Sequence, residues 1–419
     1  MMLILYRILT IILFFFLPLI LLWRFIKERE NYLSVKQKFC FFPRNKLSGK
    51  LIWFHGASVG ELQSITPLLE IYEKDKSIKK ILITSNTLSS SRVLSKLKLK
   101  KMTHQFFPLD LNYFSKKFLN YWNPSVAFFI DSEVWPNMIW NLKEKKIPII
   151  LLNGRITKKT FNRWSILSNF ANTIFNKFDL CLTSNKQSLK YLIKLGAKKV
   201  KYLGNLKFTQ TEREINKINN NFNHFIKSKN IWCASSTHFN EEKLCGDVHK
   251  NLKKTHKNLL TIIIPRHVNR VSSIKKDLLK LGLKVHLDKP ITKINKDTDI
   301  YLVNTYGNTK AFYAKSNIVF LGGSLVNHGG QNPLEAARYG CNILYGKNIA
   351  NFKEIYEFLS VNKISYLTKT VPELTNKLDS LLSKKTVMSK NIKNKIKHIG
   401  LNVLKKTQKE INPIIKNEI

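Results

Sequence analysis

Two acidic clusters in the first half of the chain have the composition of proton-transfer groups. The first lies in Trp53-Phe54-His55-Gly56-Ala57-Ser58-Val59-Gly60-Glu61, where an apolar run ends in small residues and an acid follows. Gly56 and Gly60 permit tight backbone geometry, and a helix starting there carries Glu61 in its first turn. A carboxylate in that place has two readings. It is a helix-dipole partner worth about 0.3–1 kcal/mol, or a general base that takes the proton of a sugar hydroxyl, a poor nucleophile without such help. The second cluster is Phe129-Ile130-Asp131-Ser132-Glu133-Val134-Trp135-Pro136-Asn137. Pro136 suits the first turn of a helix. Asp131 or Glu133 either caps that helix or, with Glu133 set against Glu61, forms the paired carboxylates of glycosyl chemistry.

The second half carries cations and glycines. In Ile264-Pro265-Arg266-His267 an apolar run delivers an arginine, which can grip phosphate or carboxylate through two parallel hydrogen bonds. In Phe320-Leu321-Gly322-Gly323-Ser324-Leu325 and Gly329-Gly330-Gln331-Asn332-Pro333-Leu334-Glu335-Ala336-Ala337 an apolar run opens into two glycine turns, the second leading into a helix. Backbone N–H groups at a helix start bind anions, and Glu335 is placed to hold ribose hydroxyls; the block suits a nucleotide-sugar donor. Lys207, in Leu203-Gly204-Asn205-Leu206-Lys207-Phe208, either neutralises a departing phosphate or is one more surface lysine. Asp297-Thr298-Asp299 matches the DxD pattern of metal-dependent glycosyltransferases, but it precedes an apolar run and so falls at the wrong sheet edge. It is expected to be a solvated turn. No His/Cys cluster has zinc spacing, so no metal is expected.

The elements that must position these groups are short apolar runs alternating with longer amphipathic ones. Strands are predicted at 51–54, 81–84, 126–130, 148–152, 180–183 and 200–203, then at 231–234, 260–264, 284–287, 300–303, 318–321 and 342–344. Such alternation predicts an α/β fold with parallel sheets covered on both faces. Two series predict two doubly wound, Rossmann-like domains, with the boundary near Gly204–Gln210. Ligands of open parallel sheets bind beyond the carboxyl ends of the strands, so two such domains are expected to face a common cleft. The divisions expected are an anchor over 1–27, a first domain over 28–206, a second over 207–385 and a helical tail over 386–419 returning toward the first.

Residues Ile8 to Trp23 contain no charge and are bracketed by Arg7 and Arg24. As a helix they span roughly 24 Å, short of the ~30 Å hydrocarbon core, and Pro18 interrupts them. No small-residue cleavage site follows, so a single anchor or a segment embedded in one leaflet fits better than a signal peptide. The basic residues downstream place the body on the cytoplasmic side. The chain has 71 Lys+Arg against 27 Asp+Glu, a formal +44, a balance that suits an anionic membrane surface, an anionic substrate or nucleic acid, or that reflects biased codon usage, since Lys, Asn and Ile are all abundant. Nucleic-acid motifs are absent. Cys40, Cys181, Cys233, Cys245 and Cys341 form no close pair and are expected as buried thiols in a reducing compartment.

In order and spacing, His55–Glu61, Ser132–Asn137, Gly204–Phe208, Pro265–His267 and Gly322–Glu335 resemble the 3-deoxy-D-manno-octulosonate (Kdo) transferases, from about residue 30 to the C-terminal helix. The resemblance implies a GT-B fold, CMP-Kdo as donor, a lipid A precursor as acceptor, an inner-membrane anchor and no metal. By position it makes Glu61 the proton acceptor, with Glu133 and Lys207 stabilising the transition state. It gives CMP to Pro265, Arg266, Tyr306, Gly307, Asn308, Asn332, Pro333, Leu334 and Glu335. Three positions depart from the family pattern: Gln331 stands where a His is common, Asn308 where an acid is common, and Asn240 replaces a Gly before Glu241-Glu242. Two other readings fit parts of the sequence. One is a UDP-sugar-dependent GT-B lipid glycosyltransferase such as a lipid A disaccharide synthase. The other is a non-catalytic basic membrane scaffold that binds nucleic acid through its charge.

Overall fold

The computed structural model describes residues 2–42, 50–97, 99–210, 218, 220–288, 293–384 and 390–418. The expected division at 385–386 lies outside them. The chain forms two units, one of residues 1–211 with 399–419, the other of residues 212–398.

The first unit is built on a parallel sheet of β1 (Leu51–His55), β2 (Lys80–Ser85), β3 (Met102–Phe106), β4 (Val126–Ile130), β5 (Ile149–Gly154), β6 (Leu180–Thr183) and β7 (Val200–Tyr202). Their order is β3-β2-β1-β4-β5-β6-β7, every neighbour parallel. The chain turns back on itself between β1 and β4, the switch point where such sheets bind ligands. All five residues of β1 and of β4 are buried. Their side chains alternate between two cores: Trp53 and Phe129 join one, Phe54 and Phe128 the other. Phe54 and Phe128 stack at 4.6 Å. A strand buried on both faces needs a continuous apolar run, and both have one.

The second unit repeats the plan with β8 (Asn230–Thr237), β9 (Leu259–Pro265), β10 (Val285–Leu287), β11 (Ile300–Leu302), β12 (Ile318–Leu321), β13 (Asn342–Tyr345) and β14 (Ser365–Leu367). The order is β10-β11-β9-β8-β12-β13-β14, again parallel throughout, with the switch point between β8 and β12. Every predicted strand forms. The edge strands β3 and β14 were not predicted.

The N-terminal helix runs Met2–Ile26, 25 residues. That is longer than its charge-free middle suggests, roughly 37 Å at 1.5 Å per residue, and Pro18 does not break it. Among the described residues it is the one helix long and apolar enough to cross a membrane. All five cysteines are free and buried. The expectation for Asp297-Thr298-Asp299 is half wrong. Asp297 is exposed and pairs with Lys284, but Asp299 is buried, pairing with Lys253 and His249 and accepting from the Lys284 N–H at 2.9 Å. It ties the amino end of β11 to the helix Glu241–Lys253, which is why an acid stands before that strand.

Candidate active site

In the first unit the acids gather at the carboxyl ends of β1 and β4. Ser58 caps the helix Val59–Lys74, and Glu61 sits in that helix's first turn. The Glu61 carboxylate folds back: Oε2 accepts from the Ala57 N–H at 2.7 Å and Oε1 from the Ser58 hydroxyl at 2.8 Å. That is a cap-type arrangement, so the bland reading holds locally. The electrostatics leave the proton-acceptor reading open beside it. Burial, the largest influence, pushes the Glu61 carboxyl up from 4.5 to about 7; the Ser58 hydrogen bond opposes this, and the negative Glu133 and Asp131 reinforce it. Glu61 is half-buried, neither locked in the core nor fully solvated.

Glu133 behaves in the opposite way. Burial would raise it, but hydrogen bonds from His55 and Trp135 outweigh burial and hold it below the ordinary carboxylate value. His55 Nε2 lies 3.1 Å and Trp135 Nε1 2.8 Å from the same Oε2. An ionised carboxylate only accepts, so His55 carries its hydrogen on Nε2. The ring is fixed behind by Thr84, whose Oγ1 lies 2.9 Å from Nδ1, and by Phe107, stacked at 3.8 Å. Two neighbouring acids whose surroundings drive them apart in this way can act as base and as fixed negative charge.

Lys207 enters from beyond β7. The short helical turn Leu206–Thr209 is set by Asn205, which accepts from the Lys207 N–H at 2.9 Å, and by Asn153, which accepts from the Leu206 N–H at 2.8 Å. Lys207 Nζ then lies 3.3 Å from Asp131 Oδ2. Glu61, Asp131, Glu133 and Lys207 are thus one charged cluster. Neither Asp131 nor Glu133 caps the helix at Pro136, as the sequence allowed; Asp131 is the partner of the lysine and Glu133 that of His55 and Trp135.

In the second unit the donor candidates lie on loops after β8, β9, β11 and β12. Arg266 and His267 are exposed just beyond β9. His238, after β8, joins the groups: it stacks on His328 at 4.1 Å, meets His267 edge-on at 6.1 Å and lies 3.3 Å from Gln331 Nε2. Burial first, then charge interactions with His328, His267, Arg266 and Arg270, lowers His238 to about 4. The two arginines beside these rings suit an anion. Tyr306 is exposed, its hydroxyl 3.4 Å from the Val268 N–H, and Gly307 adopts φ 88°.

The first glycine turn is committed to the protein itself. Five backbone N–H groups, of His238, Gly323, Ser324, Leu325 and Val326, donate to the buried Glu241 carboxylate. The turn is therefore nailed to its neighbouring loop, and those N–H groups are not open to a phosphate. Gly322 is required because a Cβ there would lie 2.5 Å from the Ser236 carbonyl oxygen. The helix after the second turn spans only Leu334–Arg338, too short for a strong dipole. Asn332 Oδ1 accepts from the Leu334 N–H at 3.1 Å, and the Leu334 side chain is wholly buried, leaving only its backbone for any ligand. Pro265 and Pro333 are also buried, whereas Asn332 and Glu335 are half-exposed and Asn308 sits among exposed loop residues. Sequence reasoning missed His55, Asn153, His238, His328 and the role of Glu241. One signal was present for Glu241: Asn240 adopts φ 73°, the conformation a glycine there would take freely.

The profile of the family described as 3-Deoxy-D-manno-octulosonic-acid transferase (kdotransferase) matches residues 33–210. A 3-deoxy-D-manno-octulosonic acid transferase of Rickettsia bellii is 32% identical over 377 residues, 88% of this chain and 89% of its own. Among solved structures, a glycosyltransferase from Rickettsia africae superposes with TM-score 0.57 at 12% identity, covering 88% of this chain and all of that one. A UDP-N-acetylglucosamine 2-epimerase from Listeria monocytogenes superposes with TM-score 0.58 at 11% identity, covering 87% and 98%. These two share the GT-B architecture of paired Rossmann-like units and at such identity speak for the fold alone.

Proposed function

The chain belongs to the Kdo transferase family, and from that premise we propose that it moves Kdo from CMP-Kdo to a hydroxyl of a lipid A precursor, inverting the anomeric carbon. The observation that carries this reading is the Glu61 carboxyl, held by Ser58 and Ala57 and raised to about 7 beside the ionised Glu133. A base with its pKa near the working pH is the most effective proton acceptor for an alcohol.

The reaction is one displacement. The acceptor hydroxyl gives its proton to Glu61 as its oxygen bonds to the anomeric carbon. The bond from that carbon to the phosphate oxygen breaks, and CMP leaves with the electron pair. Positive charge builds on the sugar ring in between, and the fixed negative charge of Glu133 suits it. Lys207 and Arg266 are the side-chain cations for the charge on the leaving phosphate. Pro265, Arg266, the Tyr306–Asn308 turn and the Asn332–Glu335 segment hold the nucleotide, Pro265, Pro333 and Leu334 through backbone groups. The apolar N-terminal helix and the +44 charge suit an enzyme working on the cytoplasmic face of an inner membrane, where an anionic lipid acceptor lies.

The test is incubation of the purified protein with CMP-Kdo and the lipid A precursor, with mass spectrometry of the lipid. The expected product is heavier by Kdo, and UDP-sugars give none. Glu61→Ala is expected to remove transfer and leave CMP binding nearly intact. Near-normal turnover in that variant refutes the base assignment.

A further inference from the structure

One side of the N-terminal helix faces the first unit over its first half. Leu3, Tyr6, Thr10, Phe14, Leu17 and Leu21, spaced every three or four residues, are half-buried, while the residues between them, such as Ile12, Phe15 and Leu19, are exposed. Phe14 meets Phe39 at 6.1 Å and Phe114 at 6.0 Å. Near the far end, Arg24 pairs with Glu30 at 2.8 Å. A helix acting only as a tether needs none of this.

One contact reaches toward the charged cluster. The helix Pro136–Glu144 begins with Trp135 in the capping position, and that residue's side chain provides no cap. Asp110, from a loop distant in sequence, does the job. Its Oδ2 accepts from the Asn137 N–H at 3.1 Å and its Oδ1 from the Met138 N–H at 2.9 Å, the donors a capping side chain normally serves. Two residues of the N-terminal helix complete the arrangement. The Tyr6 hydroxyl donates to Asp110 Oδ2 at 2.8 Å, and Arg7 Nε donates to Asn137 Oδ1 at 3.2 Å. Asn137 in turn donates its amide to the Asp110 carbonyl at 2.6 Å. Trp135, directly before this capped turn, donates to Glu133.

We infer that Tyr6 and Arg7 are positioning residues for Glu133: the membrane helix completes the cap that fixes the Trp135–Asn137 turn, and the turn holds the carboxylate. The inference rests on the proposed role of Glu133. It makes the N-terminal helix part of the reaction machinery as well as a membrane attachment. A carboxylate as buried as Asp110 needs all its donors, and among the described residues the distant ones come from the turn it caps and from this helix.

The test uses the full-length protein in detergent, with a detergent-dispersed acceptor so that membrane recruitment plays no part. Tyr6→Phe, Arg7→Met, Arg7→Lys, Phe14→Leu and Glu133→Gln are compared by kcat, KM for CMP-Kdo and thermal melting. Tyr6→Phe and Arg7→Met are expected to lower kcat about tenfold with KM for the donor unchanged. Arg7→Lys, which can still donate, is expected to recover most of the loss. Phe14→Leu loosens the same helix away from the cap and is expected to keep full kcat. If kcat follows melting temperature across all the helix variants, Phe14→Leu included, the helix acts through stability alone and the inference fails. Full kcat in Tyr6→Phe and Arg7→Met with an inactive Glu133→Gln overturns the inference and leaves the proposed reaction standing. A fully active Glu133→Gln overturns the premise itself.

Discussion

Glu61→Gln separates a capping glutamate from a catalytic one, because the two roles give opposite signs of stability change. The carboxyl rises from 4.5 to about 7 on folding. A group whose folded pKa lies above its unfolded one contributes stability that is complete below the unfolded pKa and is lost as pH climbs toward the folded pKa. Here the loss runs between about 4.5 and 7, and the interval corresponds to about 3 kcal/mol. Glutamine removes that penalty. It also keeps a single acceptor oxygen where the carboxylate accepts from both Ala57 and Ser58, at a cost of about 1 kcal/mol. At pH 8 the variant should therefore be about 2 kcal/mol more stable than the wild type, and near pH 4.5 slightly less stable. In a unit of this size, 1 kcal/mol moves the melting temperature by about 2–4 °C. The assay is thermal or urea unfolding at both pH values, with turnover measured alongside. Turnover should fall about 10²- to 10⁴-fold, and the wild-type rate should rise with pH through about 7 as the base loses its proton. A variant less stable than wild type at both pH values, with turnover intact, shows that Glu61 only caps its helix.

Three further outcomes follow from the same contacts. Lys207→Met leaves the buried Asp131 without the cation 3.3 Å away. It should cost about 1–3 kcal/mol in urea unfolding and reduce turnover more than donor affinity. Glu241→Gln cannot accept all five backbone N–H groups that the carboxylate serves. At least one stays unsatisfied, destabilising the second unit by about 1–3 kcal/mol and weakening CMP binding in calorimetry. Trp135→Phe removes the indole donor at 2.8 Å from Glu133. The Glu133 pKa should then rise toward the ordinary carboxylate value, measured by NMR titration of its carboxyl carbon, while the limb near 7 that Glu61 sets stays in place.

The sheets were legible in the sequence because their central strands are buried on both faces and so are apolar without a break. β1 and β4 read as strands from composition alone. β3 reads Met-Thr-His-Gln-Phe and β14 Ser-Tyr-Leu. Each is an edge strand, with a neighbour on one side only, and so needs no apolar run. The acids at strand ends were legible for the same reason: a charge straight after a buried strand has to be at an edge. What the sequence hid is pairing across distance. Asp110 reads as an ordinary loop acid, and nothing local marks it as the cap of a helix that begins at Pro136. Nor does any local signal place Tyr6, inside an apolar stretch, beside it.

Glu61 and Glu241 make the same point about function. Each stands in the first turn of a helix that follows a central strand at its unit's switch point, and each carboxylate folds back onto backbone N–H groups. Burial raises the pKa of both. Glu241 has no exposed surface and five N–H partners, so its lone pairs are fully committed and its role is to hold a loop. Glu61 has one N–H partner and one hydroxyl, stays half-exposed, and feels two further negative charges. Free lone pairs and access to solvent are what a proton acceptor needs. The number of lone pairs that the fold leaves open therefore decides whether a helix-start glutamate in such a sheet is available for proton transfer, and sequence spacing alone gives both kinds the same appearance.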